Sequence, residues 1–186
     1  MHSGLVEERD TGSDFKGDFD TGDFETFFRS HYERIARAIA RVVGDPARAE
    51  DLAVEAFWKL WRNPQVRGEK AGGWVYRTAL RLALNELRSY ARRNRYERQS
   101  GSGGGFPTPE EAHAAAEERE QVRLVLAALD PRQAELLLLR SSGLSYDEVA
   151  SAAEVNPVSV GTLISRAQQA FRKEYVKRYG QQRNQS

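Results

Sequence analysis

The chain has 186 residues, 40% of them hydrophobic and 30% charged, enough for one ordinary domain or two small ones under a polar surface. Cysteine is absent, which excludes disulfide frameworks, thiolate nucleophiles, Cys-ligated zinc and iron–sulfur clusters, and His2, His31 and His113 stand too far apart for metal-ligand spacing. The net charge of +1 hides an asymmetry: residues 1–25 hold eight acids and two bases, residues 26–100 sixteen bases and eight acids, and residues 101–186 ten bases and eleven acids.

An acidic tail beside a basic block points to a polyanionic partner for the block. The longest strongly apolar run, Leu124 to Leu129, has six residues, far short of the ~18–20 that span a bilayer. The N-terminus is acidic and Gly-rich, unlike a secretory signal. These features predict a soluble, intracellular protein with no membrane insertion.

Residues 1–22 read as an acidic disordered arm. They carry a five-residue echo, Gly17-Asp-Phe-Asp-Thr and then Gly22-Asp-Phe-Glu-Thr. A first helix is expected from Phe24 to Val43, where Phe24, Phe28, Ile35, Ile39 and Val42 recur at helical steps. Gly44 stops it and Asp45-Pro46 opens a second helix, which carries Leu52, Ala56, Phe57, Trp58, Leu60 and Trp61 and ends before Asn63-Pro64. A polar loop over 63–73 leads to a third helix, Trp74 to Arg95. Residues 99–109, Gln-Ser-Gly-Ser-Gly-Gly-Gly-Phe-Pro-Thr-Pro, read as a flexible linker. Helices over 110–129, 131–143, 145–153 and 157–179 follow. Asp130-Pro131, a Ser145/Glu148 capping box and Asn156-Pro157 mark the last three starts. No segment alternates with period two. The expected fold is all-α: a three-to-four-helix N-terminal domain over 23–98, the linker, a C-terminal helix-turn-helix domain over 110–180 and a tail at 181–186.

Two features carry function. On the third helix Arg77, Arg81, Arg88, Arg92 and Arg95 fall in a sector roughly 60° wide. Trp74 stands at its N-terminal end and Asn85 flanks it, while Tyr76, Ala79, Leu80, Ala83, Leu87 and Tyr90 take the opposite face. A solvated face ordinarily mixes signs. Guanidiniums with few nearby acids suit backbone phosphates, and Trp and Asn can stack on or hydrogen-bond to bases. The second feature is the helix pair at 145–172. Val149 and Ala153 should pack on Val160, Ile164 and Ala167. Ser159, Thr162, Ser165 and Arg166 then face outward, able to reach base edges and phosphates in a major groove.

Together the two halves, over about residues 24–178, resemble a bacterial sigma factor of the extracytoplasmic-function (ECF) group. Ala49-Glu-Asp-Leu-Ala-Val-Glu-Ala-Phe-Trp-Lys-Leu-Trp-Arg62 is similar to the segment that docks on core polymerase, and Trp74-Val-Tyr-Arg-Thr-Ala through Asn85-Glu-Leu-Arg88 to the minus-ten helix. Gly143-Leu-Ser-Tyr-Asp-Glu-Val-Ala150 with Ser165-Arg-Ala167 is similar to the minus-35 domain. The chain departs from the family's pattern at Val54, Arg81, Asn85, Gly161 and Leu163; the last two replace positions that are usually basic.

The resemblance implies promoter-directed initiation with core RNA polymerase and promoter DNA as partners and an anti-sigma factor as a further one. It implies no catalytic residue, metal or cofactor. Asp51, Glu55, Trp58, Lys59 and Arg62 would contact polymerase, with Trp58 partly in the core. Trp74, Arg77, Arg81, Asn85, Arg88 and Arg92 would bind and help melt the minus-ten element, with the 63–73 loop holding an unstacked base. Ser159, Thr162, Ser165 and Arg166 would read the minus-35 element. The alternatives are a stand-alone helix-turn-helix regulator and a sigma-like interaction protein with weak promoter recognition.

Overall fold

The structure, a computed structural model, describes residues 21–66, 68–99 and 110–180. Residues 1–20 of the expected arm, the linker from residue 100 and the tail lie outside the described residues; Thr21 and Gly22, expected in the arm, instead begin the first helix. Among those described there are seven helices and no strand: α1 (Thr21–Val43), α2 (Pro46–Trp61), α3 (Glu69–Gln99), α4 (Glu110–Ala128), α5 (Pro131–Ser141), α6 (Tyr146–Ala153) and α7 (Pro157–Tyr179). The fold is all-α, as expected.

Helices α1 to α3 form the first bundle. Gly44, at φ 75°, ends α1. A side chain there would also collide with the Arg123 guanidinium of α4. Asp45 then caps α2 by accepting from the Ala47 and Arg48 amides at 3.0 and 3.2 Å. Phe57 of α2 is buried among the α1 aromatics, with Phe28 at 4.7 Å between ring centroids and Phe27 at 6.1 Å. Ile35, Ile39, Leu60, Val75, Leu80 and Leu87 complete this core.

Helix α3 starts at Glu69, five residues before the expected Trp74, and continues past Arg95 to Gln99. The loop expected over 63–73 is therefore cut short. Gly72 and Gly73 read as loop residues, since glycine in a helix interior costs about 1 kcal/mol relative to Ala. At Gly73 small size is used instead: a Cβ there would stand 3.2 Å from the Ala152 Cα of α6, whereas one on Gly72 would meet His31 Nε2 at an ordinary 3.4 Å.

The second bundle is α4 to α7, with Val125, Leu136, Leu139, Val149, Val160 and Ile164 buried. It packs along α3, which touches α4, α5 and α6. One apolar cluster runs through both bundles. At 1.5 Å per residue the 31-residue α3 is about 46 Å long, long enough to serve both bundles.

Candidate nucleic-acid interface

All five stripe arginines lie on α3, but the second bundle covers part of the stripe. Arg77 keeps only 12% of its side chain exposed, and its Nε donates to Glu135 Oε1 at 2.8 Å. Arg81 Nε donates to Glu135 Oε2 at 2.8 Å, and Arg132 of α5 reaches Glu135 Oε1 at 3.2 Å. Glu135 is 4% exposed and is the one buried charged side chain among the described residues. Three guanidiniums on one carboxylate satisfy the condition for burying a charge. Arg77 Nη1 also meets Glu154 at 3.1 Å; this hydrogen bond, then the charge behind it, holds the Glu154 carboxyl below the usual range.

Farther along α3, Arg88 donates to the Ala127 and Leu129 carbonyls at 3.3 and 3.1 Å. It thus satisfies backbone acceptors left open at the end of α4. Arg92 donates to Ser89 Oγ at 2.9 Å. Asn85, Arg92 and Arg95 are exposed. Trp74 is half-buried and lines a cleft with Val66, Lys70 and residues of α6. The stripe expected to stand bare is thus neutralised at Arg77 and Arg81 by an acid 54 to 58 positions away in sequence. Sequence reasoning missed Glu135. A signal existed: the residue shares the apolar face of its helix with Leu138 and Leu139, three and four positions on.

The helix-turn-helix is built as expected. Ser145 caps α6 by a reciprocal box: its amide donates to Glu148 Oε2 at 2.6 Å and its hydroxyl accepts from the Glu148 amide at 3.2 Å. The backbone donation lowers the Glu148 carboxyl. Glu154, at φ 54°, ends α6, and Asn156 caps α7 through the Val158 amide at 3.0 Å. Val149, Ala153, Val160, Ile164 and Ala167 are buried, while Ser159, Thr162, Ser165 and Arg166 are exposed. Leu163 packs on the core, and a Cβ on Gly161 would meet Tyr146 Cε2 at an ordinary 3.6 Å.

Comparison with known proteins bears on both bundles. Residues 27–93 match the Sigma-70 region 2 family and residues 119–170 the Sigma-70, region 4 family. The ECF RNA polymerase sigma factor SigL of Mycobacterium tuberculosis is 30% identical over 152 residues, covering 78% of this chain and 82% of that protein. The chain belongs to the ECF sigma factors. A second relative, the ECF RNA polymerase sigma factor SigE of Mycolicibacterium smegmatis, is 27% identical over 173 residues; the match covers 88% of this chain and 65% of SigE. The solved structure of CnrH in complex with the cytosolic domain of CnrY shares the fold, with TM-score 0.51 and 20% identity over 84% of this chain and 90% of that one.

In this sigma factor one further surface stands free. On α2, Asp51, Glu55, Lys59 and Arg62 surround exposed Val54 and Trp58. Trp58 is 58% exposed, so its expected share in the core is corrected: Phe57, Leu60 and the small Ala53 and Ala56 fill that side. Lys59 and Glu55 pair at 3.4 Å. Such an exposed aromatic rimmed by charges is typical of a binding hot spot. No helix among the described residues is long and apolar enough to cross a membrane, and no described group of His, Asp and Glu could hold a metal.

Proposed function

We propose that the chain carries core RNA polymerase to two-part promoters and assists duplex opening, with no catalysis of its own, acting where polymerase acts, in the cytoplasm. The observation that carries this reading is one chain with two separate nucleic-acid faces, the α3 arginine stripe and the outward face of α7, beside the free α2 surface. Arg88 and Arg92 contact minus-ten phosphates, Arg77 and Arg81 join them once Glu135 withdraws, and Asn85 hydrogen-bonds to a base. Trp74 and the short turn before α3 hold an unstacked base. Ser159, Thr162, Ser165 and Arg166 read the minus-35 element. Val54, Trp58 and the surrounding charges Asp51, Glu55, Lys59 and Arg62 seat on polymerase.

The closed arrangement must open for this work. Elements named for positions 25 base pairs apart are separated by about 85 Å at ~3.4 Å per pair. A compact chain of 186 residues has a radius of gyration of only about 16 Å. The ten residues between Gln99 and Glu110 can span up to about 35 Å when extended, which lets the bundles separate while tethered. An anti-sigma protein that favours the closed form fits the same scheme. The test is transcription in vitro with core polymerase on a promoter library. Start sites that appear only with this chain are expected; their absence would sink the reading, and tight sequence-specific binding by the free chain would favour a stand-alone regulator.

A further inference from the structure

We propose that the cleft between the C-terminal half of α3 and the end of α7 binds a small polyphosphate anion and that this anion holds the two bundles closed. The α3 stripe meets the second bundle at two places of opposite character. At Arg77 and Arg81 the bundle supplies Glu135. Farther along, Arg88, Arg92 and Arg95 of α3 line a cavity of about 570 Å³ to which α7 adds a fourth guanidinium, Arg178. None of the lining residues is an acid. Arg88 is bound to neutral carbonyls and Arg92 to a neutral hydroxyl, while Arg178 donates to Glu174, outside the cleft, at 2.6 Å.

Closure therefore sets Arg178 of α7 against the α3 guanidiniums, a local repulsion that an entering anion relieves. The forked donors of arginine match phosphate oxygens two at a time. The volume is that of a small-molecule site. A duplex laid along α3 requires the second bundle to leave, whereas a compact anion fits with it in place. Tyr179 and the apolar side chains of α4 offer a surface for a nucleobase, so the phosphates can be free or carried on a nucleoside.

By linkage, a ligand that bridges both bundles stabilises the closed form and opposes promoter binding. The experiment is calorimetric titration of the full chain with inorganic tripolyphosphate and, separately, with ATP, in ~150 mM salt. Saturable one-to-one binding is expected, at least tenfold weaker in Arg178→Ala and Arg95→Ala, partly restored in Arg178→Lys, and changed less than twofold in Arg172→Ala, an exposed cation of α7 outside the cleft. ATP binding tighter than tripolyphosphate places a nucleoside in the site; equal affinities assign it to the phosphates alone. No saturable binding, or equal losses in Arg178→Ala and Arg172→Ala, would overturn the proposal. Neither polymerase nor promoter enters the measurement, so its failure leaves the promoter reading standing.

Discussion

The two proposed nucleic-acid faces of this sigma factor differ in readiness. The outward face of α7 is open: Ser159, Thr162, Ser165 and Arg166 project from a helix whose other side is sunk in its own bundle. The α3 stripe is guarded, with Glu135 on Arg77 and Arg81 and the end of α4 on Arg88. Surface that is already free can only lose function on mutation. Surface that is guarded should gain nucleic-acid binding when its guard is removed.

The largest effect should come from Glu135→Gln. Removing one partner of a buried ion pair costs about 3–5 kcal/mol, and the nearly buried Arg77 is left with Glu154 alone as its counter-charge. The melting temperature of the free chain should fall. Non-specific DNA binding should rise, and its salt dependence should steepen by about two units of log–log slope as Arg77 and Arg81 reach phosphates. A lower melting temperature with unchanged DNA binding would reduce Glu135 to a prop for α5 and end the comparison.

Trp58→Ala removes a free side chain and should give the opposite pattern. Polymerase affinity should drop by about 2 kcal/mol or more, roughly thirtyfold, with stability unchanged to within about 0.5 kcal/mol. Competition for core polymerase and thermal unfolding measure the two. Arg166→Ala should cost about 1–3 kcal/mol at a single minus-35 position, the scale of an Arg–guanine pair. Library selection reads it as loss of one consensus base with the others retained.

Gly161→Ala sharpens the same face. Its Cβ has room at 3.6 Å from Tyr146, so the helix should gain about 0.5–1 kcal/mol with the selected sequence unchanged. Acid should have the smallest effect. The Arg77 hydrogen bond, then its charge, depresses the Glu154 carboxyl. A depressed carboxylate contributes above its ordinary pKa, and the contribution is lost as pH falls through the lowered value. The interface should therefore loosen slightly below about pH 4, and Glu154→Gln should flatten that part of the profile of interdomain fluorescence transfer.

Local chemistry made much of this legible. Asp45, Ser145 and Asn156 cap the helices their sequences announce, and the spacing of Val160, Ile164 and Ala167 fixed which face of α7 is open. Those signals act over a few residues. The guard on α3 does not: Arg77 and Glu135 are 58 positions apart, and no periodicity within either helix pairs them. Gly73 misleads for a related reason: as an isolated residue it weakens a helix, but packed against the Ala152 backbone it permits close approach. Trp58 sits among apolar residues in the sequence, which points it partly into the core, while the smaller Ala53 and Ala56 occupy the inner face.

The central claim is that the free chain is closed over the α3 arginines and opens on the promoter. With no native cysteine, Arg37→Cys on α1 and Gln169→Cys on α7, both exposed, accept one pair of spin labels. Pulsed dipolar spectroscopy should give a single short distance in the free chain and one longer by more than about 20 Å, within the reach of the interdomain segment, in complex with core polymerase and promoter DNA. The same distance distribution in both states would contradict the account.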